Sequence, residues 1–265
     1  MATLAAPFSG PFPKDIPLPR APLLRVLTQI RFPIIASIEK QDFIAPFQEA
    51  IRHDFPSLQN EQGKGILIGP EGMQLQNQTI WRFTNLDKKS IVSLSSGFIA
   101  LETMEYQGKT QFLELLEPLL AEAQRLFTPS RIERIGLRYV NRLRGEDFIS
   151  LRGLIKPEVH GILSTEIGEN LRHSISETVI DTGAEDMSIL ARWGLLGAGL
   201  THDPIVLPPI DEKSWILDID AFSERGESFE TSALMQRIQA LAEADYRFFR
   251  WVATDEFLRR FGEVI

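Results

Sequence analysis

A run of arginines at the centre of the chain has the composition and spacing of an anion-binding surface. Five fall within the segment 131–144, namely Arg131, Arg134, Arg138, Arg142 and Arg144. The segment alternates like a strand, so Arg134, Arg138 and Arg142 should share one face, with roughly 13 Å between successive arginines. Guanidinium groups bind phosphate and carboxylate bidentately. The pattern therefore favours a binding surface for a protein or a phosphorylated ligand.

The same arginines have a second interpretation, in which they are structural. Acidic residues occur on other predicted strands, and opposite charges on neighbouring strands pair across a sheet. Glu102, Asp218 and Asp220 are the candidate partners. The sequence leaves both interpretations open.

Asp218 and Asp220 form a second candidate site, within the acidic stretch 211–230. Because they are two residues apart on a predicted strand, their carboxylates should lie on the same face. Paired carboxylates hold divalent metal ions in two-metal nucleases, and such a site needs a further acid. Glu102 is the candidate for this further acid, because it lies on the predicted strand before the helix 110–127, just as Asp218 and Asp220 lie on the predicted strand before the helix 229–252. A metal-dependent phosphodiesterase or nuclease is therefore an alternative hypothesis, although we primarily expect no cofactor.

Composition excludes several other kinds of chemistry. The 265 residues include no cysteine, which excludes disulfides and thiolate nucleophiles, and the four histidines do not have metal-ligand spacing. No phosphate-binding loop, dinucleotide-binding glycine pattern or nucleophile elbow occurs. The formal net charge of −8 disfavours broad nonspecific binding to nucleic acid or to an anionic membrane. His202 and Asp203 lie in a turn-rich loop, which we interpret as a surface connection or as a mobile loop beside a site.

Residues 1–22 should form an extended, proline-rich arm. They carry six of the 16 prolines, and proline fixes φ and disfavours helix in the residue before it. The arm has neither the early positive charge nor the apolar core of a signal peptide, and the chain has no apolar run long enough to span a membrane. We therefore predict a cytoplasmic protein without membrane association. The arm would either lie over its own domain, held by Phe8 and Phe12, or dock a partner.

Residues 23–129 are predicted to form one α+β unit. Leu24 to Phe32 alternates like a half-buried strand. A helix, four short strands and a second helix should follow, at 41–54, 66–68, 79–85, 91–94, 98–106 and 110–127. Thr110 is the expected N-cap of the second helix.

Residues 130–265 repeat this order, which indicates an internal duplication. Strands are predicted at 132–143, 171–182, 187–196 and 215–222, and helices at 147–155, 229–252 and 255–261, the last with Thr254 as its N-cap. The fold prediction is α+β. Two similar β-α-β(3–4)-α units pack as one globular body and form a curved antiparallel sheet with helices on one face, as in TATA-box-binding-protein-like or helix-grip folds. The alternative is an α+β chain with two similar strand–helix junctions and no duplication.

Three stretches together resemble a known family. They are Pro17-Leu-Pro-Arg-Ala-Pro-Leu-Leu, Arg134-Ile-Gly-Leu-Arg-Tyr-Val-Asn-Arg-Leu and Ala253-Thr-Asp-Glu-Phe-Leu-Arg-Arg-Phe-Gly. They are similar to a sporadically distributed prokaryotic family of about this length that has no established activity. The resemblance implies one indivisible unit and a role linked to defence or mobile-element biology, and it implies no catalytic residue.

The leading hypothesis is a non-catalytic binding or regulatory module that recognises its ligand through Arg134, Arg138 and Arg142. The alternatives are the metal-dependent enzyme and a helix-grip-like protein that binds a small ligand between its sheet and its long helix. The arginines and aromatic residues of the C-terminal helices indicate packing on the protein's own sheet or, alternatively, a homodimer.

Overall fold

Nine antiparallel strands form one continuous sheet in the computed structural model, which describes residues 7–69, 72–184 and 186–262. In chain order they are β1 (Leu23–Arg31), β2 (Ser57–Gly69), β3 (Gly72–Thr84), β4 (Ser90–Ser95), β5 (Phe98–Thr103), β6 (Arg134–Arg144), β7 (Ser174–Asp181), β8 (Ser188–Leu196) and β9 (Ser214–Ser223). Their order across the sheet is β2-β3-β4-β5-β1-β6-β9-β8-β7. The predicted α+β class and antiparallel sheet are confirmed.

Six α-helices accompany the sheet in the described ranges. They are α1 (Gln41–Ile51), α2 (Lys109–Phe127), α3 (Glu146–Ile149), α4 (Leu151–Leu154), α5 (Thr231–Val252) and α6 (Asp255–Phe261). Four short 3-10 helices lie at Ala36–Glu39, Pro157–Val159, Gly161–Ser164 and Gly168–Asn170. No helix in the described part of the chain is long and apolar enough to cross a membrane.

The main hydrophobic core lies between one face of the sheet and helices α1, α2 and α5. Strand β1 shows why, since its alternation sends Val26 and Ile30 into this core, where both are fully buried. Phe47 of α1 packs edge-on against Phe83 of β3, with 5.6 Å between ring centroids. The core includes residues on both sides of the central β1–β6 pairing, so the two predicted units share it.

Two local predictions about helix starts had different outcomes. Thr254 is the N-cap of α6, because its side chain accepts a hydrogen bond from the Phe257 backbone N–H. Thr110 does not cap α2: the helix begins one residue earlier, and its N-cap position is Gly108, which has a φ of +134°. Glycine tolerates that conformation, and so the backbone sets the helix boundary here without a capping side chain.

The hairpin of β2 and β3 is much longer than the predicted strand fragments. Residues 57–63 pair with 78–84, although they are mostly polar and exposed. A strand at the sheet edge without a buried face has no alternation of apolar and polar residues, which is the signal used for prediction.

The arm lies over its own domain where it is described. Phe8 and Leu18 pack against the main core, and Arg20 and the Phe261 carbonyl form a backbone hydrogen bond. Residues 1–6 of the predicted arm and residues 263–265 of the second predicted unit lie outside the described residues.

Candidate functional site

The arginine row and the acidic pair meet on the sheet face opposite the main core. Strand β6 pairs antiparallel with β9, and Arg138 lies directly opposite Asp220. Because side chains alternate along a strand, Arg134, Arg138 and Arg142 point to the same face as Asp218 and Asp220. The strand spacing predicted this shared face, but each arginine has a different environment there.

Arg134 is paired within the fold. Its Nη2 donates to Asp220 Oδ2 at 2.7 Å, and its guanidinium carbon lies 4.8 Å from the centroid of the Phe222 ring. Gly136 provides the space, since a Cβ there would lie 2.7 Å from Arg134 Nη1. Burial raises the pKa of Asp220, and the charge of Arg134 opposes that shift only in part.

Arg138 is the centre of a charge network. Its Nε and Nη2 donate to the two carboxylate oxygens of Asp218 at 2.7 and 2.8 Å, and its Nη1 donates to Asp203 at 2.9 Å. Nε2 of His202 lies 2.9 Å from Asp218 Oδ2. The Asp218 side chain is only 1% exposed and that of Arg138 15%, so the network is largely shielded from water.

The network stabilises the charged forms of Asp218 and Arg138. Burial favours the neutral form of Asp218, but the hydrogen bonds from His202 and Arg138 outweigh it and hold the pKa of Asp218 below its usual value. Burial likewise opposes the charge of Arg138, yet its hydrogen bonds to Asp218 and Asp203 raise its pKa. A carboxylate and a guanidinium bound in this way are unlike a free anion-binding site.

A loop covers the part of this sheet face that carries Arg138 and Arg142. The loop 197–213 leaves the sheet after Leu196 and returns at Ser214, which pair with each other on β8 and β9. Its Val206 and Leu207 pack on Val140 in a second, smaller apolar cluster. The contacts of Asp203 and His202 add polar attachments, so the loop is anchored to the sheet by both apolar and charged groups.

Arg142 lies beneath this loop and is the exception in the row. It is 5% exposed, and its Nη1 donates to the Pro208 carbonyl at 2.8 Å. Its Nε and Nη2 are buried and have no hydrogen-bond partner in the described part of the chain. Burial lowers the pKa of Arg142, and the charge of Arg144 adds to the effect. Burying a charged donor without an acceptor is costly, which marks Arg142 as a candidate ligand-binding side chain.

The acids of the metal hypothesis do not come together. Glu102 pairs with Arg25 at 3.1 Å, and β5 is separated from β9 by two strands, which corresponds to about 14 Å. Asp218 and Asp220 share a face, but each is bonded to an arginine. Among the residues that the structure describes, no group of three or more potential ligands is arranged to hold a metal ion.

Some members of the site were not anticipated from the sequence. Arg192 of β8 pairs with Glu177 directly opposite on β7 and lies 3.9 Å from Asp218. Asp203 and His202 were recognised only as residues of a turn-rich loop. The short connection between β7 and β8 suggests a hairpin, and it could have indicated that Arg192 and Glu177 lie on neighbouring strands.

A second group of buried polar residues lies on the helix side of the sheet. Asp245 of α5 is 2% exposed, and burial raises its pKa well above the usual value. The hydroxyl groups of Tyr106 and Tyr139 lie 3.1 Å apart. Burial raises the pKa of Tyr106 to about 12. No pattern in the sequence distinguished Asp245 from Glu243, the other acid of the same helix.

Comparison with known proteins does not assign the chain to a family. No protein-family model matches it, and no curated protein matches its sequence.

Proposed function

We propose that the protein is a non-catalytic binding module and that it recognises an anionic group at Arg142, beneath the loop 197–213. The observation that carries the proposal is a guanidinium that is 5% exposed, with two nitrogens lacking a partner in the described part of the chain. A phosphate or carboxylate oxygen would supply the missing acceptors bidentately. The expected ligand is therefore a protein side chain or small molecule that carries phosphate or carboxylate.

Within this proposal the three arginines have different roles. Arg134 and Arg138 hold Asp220, Asp218 and the loop in place, since each donates to carboxylates of the chain itself. Arg142 donates to a backbone carbonyl, which is a weaker acceptor than an anion. An entering anion would displace Pro208 and the loop around it, while the charge network keeps the sheet face intact.

The test is thermal unfolding in the presence of inorganic phosphate or citrate, at ionic strength matched with potassium chloride. At ten times its dissociation constant, a ligand stabilises the folded state by about 1.4 kcal/mol, which is roughly 4 °C for a domain of this size. We expect this shift for the wild type and for the control Arg134→Met, and no shift for Arg142→Met. An equal shift in Arg142→Met, or none in the wild type, would refute the proposal.

We also propose that the sheet arose by duplication, in the manner of TATA-box-binding-protein-like folds. Support comes from the strand order, in which β1 and β6 form the centre. On either side follow β5 and β9, then β4 and β8, then β3 and β7, so strands of the two predicted units occupy corresponding places. Only β2 has no counterpart among the described strands.

A further inference from the structure

We propose further, on the basis of the proposed function, that the group bound beneath the loop 197–213 is a phosphoryl group and that Ser214 binds it together with Arg142. Arg142 has a free guanidinium edge, and Ser214 has a buried hydroxyl without a partner in the described part of the chain. The charge of the nearby Arg144 then favours phosphate over carboxylate.

The part of Arg142 that lacks a partner is one complete edge of its guanidinium. Nε and Nη2 lie side by side on this edge, and neither has a hydrogen-bond partner among the described residues, whereas Nη1 donates to the Pro208 carbonyl. Arg138, four residues earlier on the same strand, uses the same edge to hold both carboxylate oxygens of Asp218, at 2.7 and 2.8 Å. The edge is therefore suited to a group with two adjacent anionic oxygens.

Ser214 places a second unpartnered group on the same sheet face. It is 1% exposed, and its hydroxyl has no hydrogen-bond partner in the described ranges. Arg142 lies opposite Ile216 in the pairing of β6 with β9, and Ser214 is two residues before Ile216. Ser214 is thus a diagonal neighbour of Arg142, at roughly 7–8 Å, which is within reach of a long side chain. A buried hydroxyl without a partner is costly, so it points to a ligand that bonds it.

Apolar side chains adjoin the two donors. Leu196 lies opposite Ser214 on β8, and Ile216 lies opposite Arg142 on β9. Both apolar residues belong to the smaller apolar cluster beneath the loop. A hydrogen bond to an anion is stronger in surroundings of such low polarity than in water. An oxyanion that accepts from both donors is therefore bound more strongly here than the same contacts would bind it at an exposed surface.

Charge and the number of acceptor oxygens distinguish phosphate from carboxylate at this place. Burial lowers the pKa of Arg142, and the charge of Arg144 lowers it further, so two like charges lie close together. Arg144 lies directly opposite Ser214, and its distance to Glu212 is 3.8 Å, with both side chains exposed. A phosphoryl group carries a charge of about −1.5 to −2 at pH 7 and three acceptor oxygens. Two oxygens occupy the edge of Arg142, and the third accepts from the Ser214 hydroxyl.

The experiment is isothermal titration calorimetry of the full-length chain at pH 8, with the ionic strength held constant by potassium chloride. The titrants are inorganic phosphate and acetate, which is planar and carries a single charge. We expect the wild type to bind phosphate at least about tenfold more tightly than acetate, because phosphate meets both positive charges and all three donors. Ser214→Ala should weaken phosphate binding by about tenfold, since a hydrogen bond to a charged group is lost.

The stability of the unligated protein separates a binding role of Ser214 from a structural one. Ser214→Ala removes a buried hydroxyl without a partner, so in phosphate-free buffer its unfolding temperature should equal or exceed that of the wild type. A lower unfolding temperature would mean that the hydroxyl supports the fold, and it would overturn the assignment. The matched control is Ser223→Ala on the same strand, where the hydroxyl is equally buried and accepts from the Arg225 backbone N–H at 3.3 Å. It should leave phosphate binding unchanged.

Arg144→Met tests the charge argument at a side chain that is 66% exposed, where replacement leaves the core intact. It should weaken phosphate binding about twofold to fivefold, the effect of an exposed charge, and unchanged binding would contradict the choice of phosphate. Glycerol 3-phosphate identifies the source of the phosphoryl group. Tighter binding than inorganic phosphate assigns the site to a phosphorylated small molecule, and weaker binding assigns it to free phosphate.

The same titrations separate failure of the phosphoryl assignment from failure of the proposed function. Phosphate binding that is lost in Arg142→Met but unchanged in Ser214→Ala overturns the assignment and leaves the anion site at Arg142 in place. Acetate binding as tight as phosphate binding, or tighter, has the same consequence. If the wild type binds neither anion, or if Arg142→Met binds phosphate as tightly as the wild type does, both the assignment and the proposed function are overturned.

Discussion

Replacing Asp245 by asparagine should stabilise the protein increasingly as the pH rises from 5 to 7. Asp245 is 2% exposed on α5. Burial raises its pKa well above the ordinary value of 3.8, and the charge of Asp220 adds to the effect. The backbone N–H of Ala221 opposes this shift in part, but no hydrogen bond of acceptable geometry reaches either carboxylate oxygen in the described ranges.

The sign and size of the effect follow from proton linkage. The folded state holds the proton more tightly than the unfolded chain, so this group's contribution to stability is fully present below pH 3.8. It is lost as the pH rises towards the folded-state pKa, at about 1.4 kcal/mol per pH unit. The wild type therefore loses stability from this residue as the pH rises from 5 to 7, by at most about 3 kcal/mol, the amount lost if Asp245 stays protonated in the folded state throughout.

The assay is urea unfolding at pH 5, 6 and 7, followed by tryptophan fluorescence. Asparagine does not titrate, so the difference in free energy of unfolding between Asp245→Asn and wild type should grow from pH 5 to pH 7, by at most about 3 kcal/mol. The matched control is Glu243→Gln, on the same helix, with its side chain 44% exposed and 3.8 Å from Lys109. Exposed ion pairs contribute at most about 1 kcal/mol, so the control should differ from the wild type by no more than this at each of the three pH values.

Parallel pH profiles of stability for Asp245→Asn and the wild type would contradict this prediction. They would mean that the folded and unfolded states bind this proton equally, and therefore that burial of Asp245 is compensated by a charge or a hydrogen bond.

Three further substitutions test other parts of the structure by urea unfolding. Asp218→Asn removes the main partner of the buried Arg138 and should cost about 3 kcal/mol of stability at pH 7. Because the folded-state pKa of Asp218 is lowered, this cost should shrink as the pH falls below 3.8. A cost that is independent of pH would contradict the prediction. Gly194→Ala should cost at least about 3 kcal/mol, since φ is +143° and the new Cβ would meet the Ser174 carbonyl, and a neutral effect would rule out this backbone conformation. Thr254→Ala should cost about 1 kcal/mol through loss of the N-cap of α6, whereas Thr254→Ser should retain most of the stability.

Features set by local sequence could be predicted well. The alternation of β6 placed its three arginines on one face, and Thr254 was identified as a cap, because both depend on residues within a few positions of each other. The length of the edge hairpin and the N-cap of α2 were predicted wrongly. Residues 57–63 of the hairpin are mostly polar and exposed and so lack an apolar alternation, and at Gly108 backbone conformation replaces a capping side chain.

The partners of those arginines could be predicted only in part. Asp218 and Asp220 were correctly proposed as pairing residues, whereas Glu102 pairs with Arg25 instead. The choice depends on which strands are neighbours. Strand β9 lies beside β6, whereas β5 lies beside β1, and the alternation within a strand contains no information about its neighbour.

The α+β class and a polar, arginine-bearing strand face follow from the sequence alone. The neutralisation of two of the arginines and the burial of Arg142 under a loop depend on tertiary contacts, because the residues involved are far apart along the chain. Arg138 meets Asp203 and Asp218 across 65 and 80 residues, so their pairing exists only once the sheet has brought β6 and β9 together. The charge of a side chain is a local property, but whether that charge is free to bind a ligand depends on the fold.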